Sequence, residues 1–89
     1  VQVGYRFVMI DLDGPTPIYL QIVAEVERRI AAGEYRPGRR IPSATALSEE
    51  FGVSRRTCVD ALRVLRERGA VIGVPGRGTF VAEASERDE

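Results

Sequence analysis

Ser43-Ala44-Thr45-Ala46-Leu47-Ser48-Glu49-Glu50-Phe51-Gly52-Val53-Ser54-Arg55-Arg56-Thr57-Cys58 is the stretch on which the fold turns. Ser43 and Ser54 each place a hydroxyl where a helix start needs an acceptor for a free backbone N–H. Between the two helices they open lies only Gly52-Val53-Ser54. A glycine there admits the left-handed backbone of a sharp turn, and the apolar Val53 plugs the angle between the helices. Ala46, Leu47 and Phe51 are the expected buried side of the first of these helices. Along the second, Cys58, Ala61, Leu62 and Leu65 fall at i, i+3, i+4 and i+7, a single apolar stripe that Gly69 closes. The unit reads as a helix-turn-helix.

Working upstream, Thr16 offers a cap oxygen and Pro17 suits the first position of another helix. In that helix Ile18, Ile22, Val26 and Ile30 recur every fourth residue with Val23 beside them, while Glu25, Glu27, Arg28 and Arg29 are expected mostly on the opposite side. Gly33 supplies the stop. Pro37-Gly38 is a turn signal, and Arg40-Ile41-Pro42 has room for a very short strand. Downstream, the β-prone runs Ala70–Val74 and Thr79–Ala82 flank Pro75-Gly76-Arg77-Gly78, a glycine-rich hairpin. The expected fold is mainly α with a small β-hairpin wing, a winged helix-turn-helix of three helices plus a short antiparallel sheet over residues 15–82.

The flanks read differently. Residues 1–14 form an N-terminal extension, strand-like from Val3 to Leu12, whose edge suits pairing with a second copy of the chain in a homodimer. Met9 stands where translation can begin, and residues 1–8 read either as an upstream extension or as part of the native chain. Residues 83–89 are polar, mostly acidic and lack an apolar anchor, as in a disordered tail or a severed linker.

Composition narrows the function. Eighty-nine residues at 44% hydrophobic content build one small core, which excludes a two-domain enzyme. With no histidine and a single cysteine, Cys58, the chain has no histidine triad, imidazole metal site, zinc cluster or intramolecular disulfide. Neither a metal nor a cofactor is expected, and Cys58 reads as a small buried hydrophobe. Apolar runs such as Phe7–Ile10 fall short of the roughly 20 residues of a membrane span, so the reading is a soluble cytoplasmic protein. All 13 basic residues are arginine, which fits forked contacts to phosphates and bases and equally a GC-rich genome. The net charge of zero is uneven: residues 15–81 hold 11 arginines and 7 acids, the flanks 2 and 6. The middle of the chain is basic.

Six segments in order carry a family resemblance: Pro17-Ile18-Tyr19-Leu20-Gln21-Ile22, Gly33-Glu34-Tyr35-Arg36-Pro37-Gly38, Ile41-Pro42-Ser43, Leu47-Ser48, Phe51-Gly52-Val53-Ser54-Arg55 and Gly76-Arg77-Gly78-Thr79-Phe80-Val81. Together they resemble the winged-helix DNA-binding domain of the GntR family of bacterial transcription regulators, from about Pro15 to Val81. The resemblance implies a third helix in the major groove of double-stranded DNA, a wing in the adjacent minor groove and a protein associated with the bacterial nucleoid when bound. Three departures matter. Ala44-Thr45 follow Pro42-Ser43 where the family commonly has Glu-Arg, leaving Thr45 a weaker contact. Val59 stands where arginine is frequent and offers a methyl contact to thymine. Arg56 replaces a frequent threonine and restores some of the lost charge.

The residues themselves support the same roles. At the start of the third helix, free N–H groups and the positive dipole end favour phosphate, and the Ser54 and Thr57 hydroxyls add hydrogen bonds. Arg55 is the candidate base reader, its fork matching the two acceptors of guanine. Arg56 holds phosphate or a neighbouring base. Arg63, Arg66 and Arg68 divide between backbone contact and stabilising the helix dipole. Arg77, with Gly78 beside it at the wing tip, is either a turn residue or a minor-groove probe. Ser43 is a helix cap with a phosphate contact open to it.

The reading is a sequence-specific duplex DNA-binding regulator, a repressor on an inverted-repeat operator, present here as a DNA-binding fragment or a stand-alone regulator. No effector ligand is expected to bind within these residues. The competing reading, motivated by Thr45, Val59 and the zero net charge, is a winged-helix protein-interaction module without DNA binding.

Overall fold

The computed structural model describes residues 10–83. In chain order it contains α1 (Ile18–Ala31), α2 (Ala44–Phe51), α3 (Arg55–Glu67), β1 (Val71–Val74) and β2 (Gly78–Val81). This is the expected three helices and two-stranded antiparallel wing, with Val71 opposite Val81 and Val74 opposite Gly78. β1 begins one residue later than its β-prone run, the Ala70 amide being used to close the end of α3 on the Leu65 carbonyl at 3.0 Å, and β2 is shifted one residue toward the turn, from Gly78 to Val81.

Local chemistry sets the helix ends. Ser43 Oγ accepts from the Ala46 amide at 3.1 Å, and Ser54 Oγ accepts from the Thr57 amide at the same distance. α2 stops at Gly52, whose φ of 70° is left-handed. The cap of α1 differs from expectation. Pro17 itself occupies the position before the helix, its carbonyl accepting from the Leu20 and Gln21 amides, and no side chain caps it. Thr16 lies one residue too far out; its carbonyl accepts from Gln21 Nε2 instead.

α3 is the central element, packed against α1, α2 and β1. Its stripe of Cys58, Ala61, Leu62 and Leu65 is buried against Ile22, Val23 and Val26 of α1, Leu47 of α2 and Val71 and Val81 of the wing. Burying each of the leucine, isoleucine and valine side chains among them stabilises by roughly 1.5–3 kcal/mol. Cys58 sits fully inside, and burial pushes its thiol pKa up, away from reactivity. On α2 the core residues are Ala44 and Leu47, whereas Ala46 is exposed. One turn of helix separates Ala44 from Leu47, and the short α2 presents only that narrow edge to α3.

The segment before α1 does not continue as a strand. Asp11 Oδ1 accepts from the amides of Asp13 and Gly14, each at 3.0 Å, folding Asp11–Gly14 into a side-chain-closed turn. Gln21 holds this turn on α1: its Oε1 accepts from the Asp11 amide and its Nε2 donates to the Asp11 carbonyl, both at 2.8 Å. Residues 1–9 of the strand-like run, with Met9 as a start, and residues 84–89 of the acidic tail lie outside the described residues.

The largest departure is Arg29. Placed on the polar side of α1 by periodicity, it is only 9% exposed. Its guanidinium donates to Glu25 at 2.8 Å, to Tyr35 Oη at 2.6 Å and to Glu50 of α2, and it lies over the Tyr35 and Phe51 rings at 5.6 and 5.2 Å. Glu25 is shared, since Arg28 also binds it at 2.9 Å. The carboxylates, Glu50 foremost, make Arg29 harder still to deprotonate. Arg28, then Arg29, hold Glu25 below its ordinary value of 4.5 against the opposing effect of burial.

Two outcomes follow from this cluster. Arg29→Met, which keeps the stem but leaves Glu25 to Arg28 alone and takes the donors from Glu50 and the Tyr35 hydroxyl, should cost about 1–3 kcal/mol in a urea titration. A loss no larger than that of an exposed arginine such as Arg36 would show that the cluster is incidental. Folding favours the charged form of Glu25, so its contribution is complete above pH 4.5 and drains away as pH falls below that value. Glu25→Gln should therefore lower stability at pH 7 and flatten the acid limb of the stability curve; an unchanged limb would contradict the assignment.

Candidate nucleic-acid interface

The start of α3 carries the residues singled out in the sequence. Ser54 Oγ and Thr57 Oγ1 are 2.8 Å apart and close the first turn, leaving the Arg55 and Arg56 amides without an acceptor inside the helix. Arg55 is exposed and reaches across to α2, where its Nε donates to Thr45 Oγ1 at 3.1 Å. The structure thus brings Thr45 and Arg55 together from opposite sides of the turn. Among the described residues, no carboxylate lies within ion-pair distance of Arg55.

Arg56 turns the other way. Its side chain is 82% exposed and pairs with Asp60 at 3.3 Å, a carboxylate that also faces Arg63 at 3.7 Å. Arg63 meets Glu67 as well, and Arg68 is tied to Glu27 of α1 at 3.0 Å. The far end of α3 therefore spends much of its positive charge on acids of α3 and α1. Val59 is half-buried against the core.

The wing is built by a tight turn. The Arg77 amide donates to the Val74 carbonyl at 2.9 Å, with Pro75 and the left-handed Gly76 between them, the residue pattern of a type II turn. Arg77 is exposed at the tip. The base of the wing is held by the segment before α2: Arg40 bridges to Phe80, the Ile41 amide donates to the Thr79 carbonyl, and the Val81 amide donates to the Arg39 carbonyl. The Arg40 side chain runs along this junction, and its Nη1 donates to the Arg77 carbonyl at 3.2 Å. Gly78, at φ 123°, leaves it room, since a Cβ there would stand 3.0 Å from Arg40 Cδ.

Between wing and helices lies an open groove lined by Arg40, Ser43, Ala44, Leu62, Arg77 and Gly78. A second concavity on the wing is lined by Gly38, Arg39, Arg40, Arg77 and Phe80. Ser43, Arg77 and Gly78 share one groove, while Thr45 and Arg55 meet just beyond it on α2 and α3; Arg56 is directed toward Asp60. Periodicity and turn signals alone give Arg39 and Arg40 no role in the site. The available signal was their place next to Ile41, in the one short segment able to pair with the hairpin.

No helix among the described residues is long and apolar enough to cross a membrane. Comparison with known proteins places this geometry. The chain is 44% identical over 70 residues to the mannosyl-D-glycerate transport/metabolism system repressor MngR of Escherichia coli, which covers 79% of this chain and 29% of that protein. It is 39% identical over 74 residues to the HTH-type transcriptional repressor NagR of Bacillus subtilis, covering 83% and 30% respectively. The chain thus spans less than a third of the length of these relatives. Among solved structures, the DNA-binding domain of AraR in complex with an operator superposes with a TM-score of 0.77 at 34% identity, over 88% of this chain and 100% of that one. YtrA from Sulfolobus acidocaldarius, a GntR-family transcription factor, gives 0.76 at 36% identity, over 83% and 78%.

The winged helix-turn-helix expectation holds. A model of the bacterial regulatory proteins of the gntR family matches residues 18–81, from the first residue of α1 to the last of β2, and the chain belongs to that family.

Proposed function

We propose that this domain binds double-stranded DNA with sequence specificity as part of a transcriptional repressor, one copy of a homodimer reading each half of an inverted-repeat operator. The observation that carries this reading is the exposed Arg55 at the first position of α3, free of any described carboxylate, beside a wing whose arginine tip is braced by Arg40. The repressor names of the relatives and the AraR domain's operator complex support it.

In this reading α3 enters the major groove. The free amides at its start, with Ser54 and Thr57, take a phosphate, and Arg55 presents its fork to the O6 and N7 of a guanine. Arg56 contacts phosphate or a neighbouring base, and Val59 touches a thymine methyl. At the start of α2, Ser43 approaches the sugar-phosphate chain, and Thr45 stands at the interface beside Arg55. Arg77 enters the minor groove, where the negative potential of a narrow groove favours a guanidinium, and Gly78 lets the backbone come close. No cofactor is needed, and the work is done in the bacterial cytoplasm at the nucleoid.

Selection of a random duplex pool by the chain, followed by anisotropy titration of the winner and a scramble at two salt concentrations, tests the reading. Salt-sensitive preference for the winner is expected; equal binding to both duplexes would defeat it. On the selected site Arg55→Ala should cost about 1–3 kcal/mol and relax preference at one base pair, whereas Arg77→Ala should weaken binding mainly at sites with a narrow flanking minor groove. Gly78→Ala, strained at its positive φ and crowded by Arg40, should reproduce the Arg77→Ala loss. If Gly78→Ala binds like the parent, the shape of the wing tip is irrelevant to recognition.

A further inference from the structure

We infer that Thr45 is a positioning residue for base readout: its hydroxyl oxygen holds Arg55 by the Nε position and so presents the two terminal nitrogens of the guanidinium as the reading fork. The inference rests on the DNA-binding reading above and names the residue that sets its specificity.

A guanidinium carries five N–H groups in one plane, and two geometries of paired contact compete. One uses Nε with one terminal nitrogen, side-on; the other uses both terminal nitrogens, end-on. The 3.1 Å bond from Arg55 Nε to Thr45 Oγ1 occupies the group that the side-on geometry requires. Only the end-on fork remains open, aimed along the axis of the side chain. The partner is a hydroxyl and not a carboxylate, so the arginine is oriented without neutralising its charge. Arg56 and Arg63 contrast with it: they share Asp60, and their directions are set by an acid that opposes approach to phosphate.

The geometry is also braced. Thr45 lies in the first turn of α2, where the Ser43 cap and the Ser48 Oγ bond to the Thr45 carbonyl, 2.7 Å long, hold the backbone. Arg55 is the first residue of α3, directly after the Ser54 cap. The bond therefore joins two capped helix starts ten residues apart, and it exists before any DNA arrives. A side chain with four rotatable bonds is ordered in advance, and the ordering entropy is not charged against recognition.

The test uses the full chain and the duplex it selects from a random pool, with that duplex altered at the base pair read by Arg55 as the comparison. Thr45→Val keeps the branched shape and removes the acceptor, while Thr45→Ser keeps the acceptor. Discrimination between the two duplexes should fall about 5-fold or more in Thr45→Val and stay within about 2-fold of the parent in Thr45→Ser, with thermal midpoints unchanged because residue 45 is exposed. In the free protein, NMR should show the Arg55 Nε–H protected from exchange in the parent and in Thr45→Ser but not in Thr45→Val.

Parental discrimination in Thr45→Val would overturn the inference. Equal weakening on both duplexes, with a shallower salt dependence, would overturn it too, by making Thr45 a plain backbone contact. An unprotected Nε–H in the parent would remove its basis whatever the DNA shows. If the parent itself preferred no duplex, the DNA-binding reading would fail first, and the titration of the parent alone reveals that case.

Discussion

Burial of one face of α3 is the constraint from which the rest of the molecule follows. Cys58, Ala61, Leu62 and Leu65 meet α1, α2 and the wing at once, so a single helix holds every layer of the domain together. Ala61 is completely buried, and its small side chain lets the neighbouring helices come close. Once that face is committed to the core, the direction of the opposite face is no longer free. The helix that organises the core is also the one whose exposed start carries Arg55, and its position relative to α2 and the wing is as rigid as the core itself.

Arg29 completes the frame in a different way. α3 packs on α1 and on α2, but the contact between α1 and α2 themselves depends largely on one guanidinium reaching Glu50 and lying against Phe51. Glu50 and Phe51 are the last residues of α2, just before the Gly52 turn. Anchoring them settles the angle at which the turn leaves α2, and hence where Ser54 and Arg55 begin α3. A charged group suits this place because its hydrogen bonds are directional, and five donors shared among Glu25, Tyr35 and Glu50 permit few alternative arrangements. The cluster is thus a positional device for the recognition turn as well as a source of stability.

The wing is positioned by backbone rather than by core volume. Its two strands reach the helices through Val71 and Val81, but the lateral placement of the tip comes from residues 38–41, which pair with β2 and carry Arg40 across the junction. The segment that pairs with the wing runs directly into the Ser43 cap of α2. The tip and the helix-turn-helix are therefore linked by a few residues of chain, and Arg77 and Ser43 come to line one groove.

Much of this was legible in the linear sequence, for reasons of local chemistry. Ser43, Gly52, Ser54 and Gly69 act on their own backbone neighbourhood, so their roles as caps and stops need no knowledge of the fold. The 3.6-residue stripe of α3 and the glycine turn of the wing are likewise properties of short windows. Arg55, Arg77 and Ser43 were recognisable because their places are counted from those caps and turns. What the sequence could not determine depends on partners brought from a distance. Periodicity put Arg29 on the polar side of α1, and only packing against Tyr35 and the end of α2 made that side an interior. Residue type and spacing favour Ala46 for the core, but the narrow contact of a two-turn helix leaves it in solvent. Thr16 suits a cap by residue type, but the backbone geometry gives that place to Pro17. The bond between Thr45 and Arg55 and the brace from Arg40 to the wing tip join residues 10 and 37 positions apart. Local rules of helix and turn therefore determined which elements form and which residues stand at their ends, whereas tertiary packing alone decided which polar side chains meet, because a directional contact exists only when both of its ends have been placed.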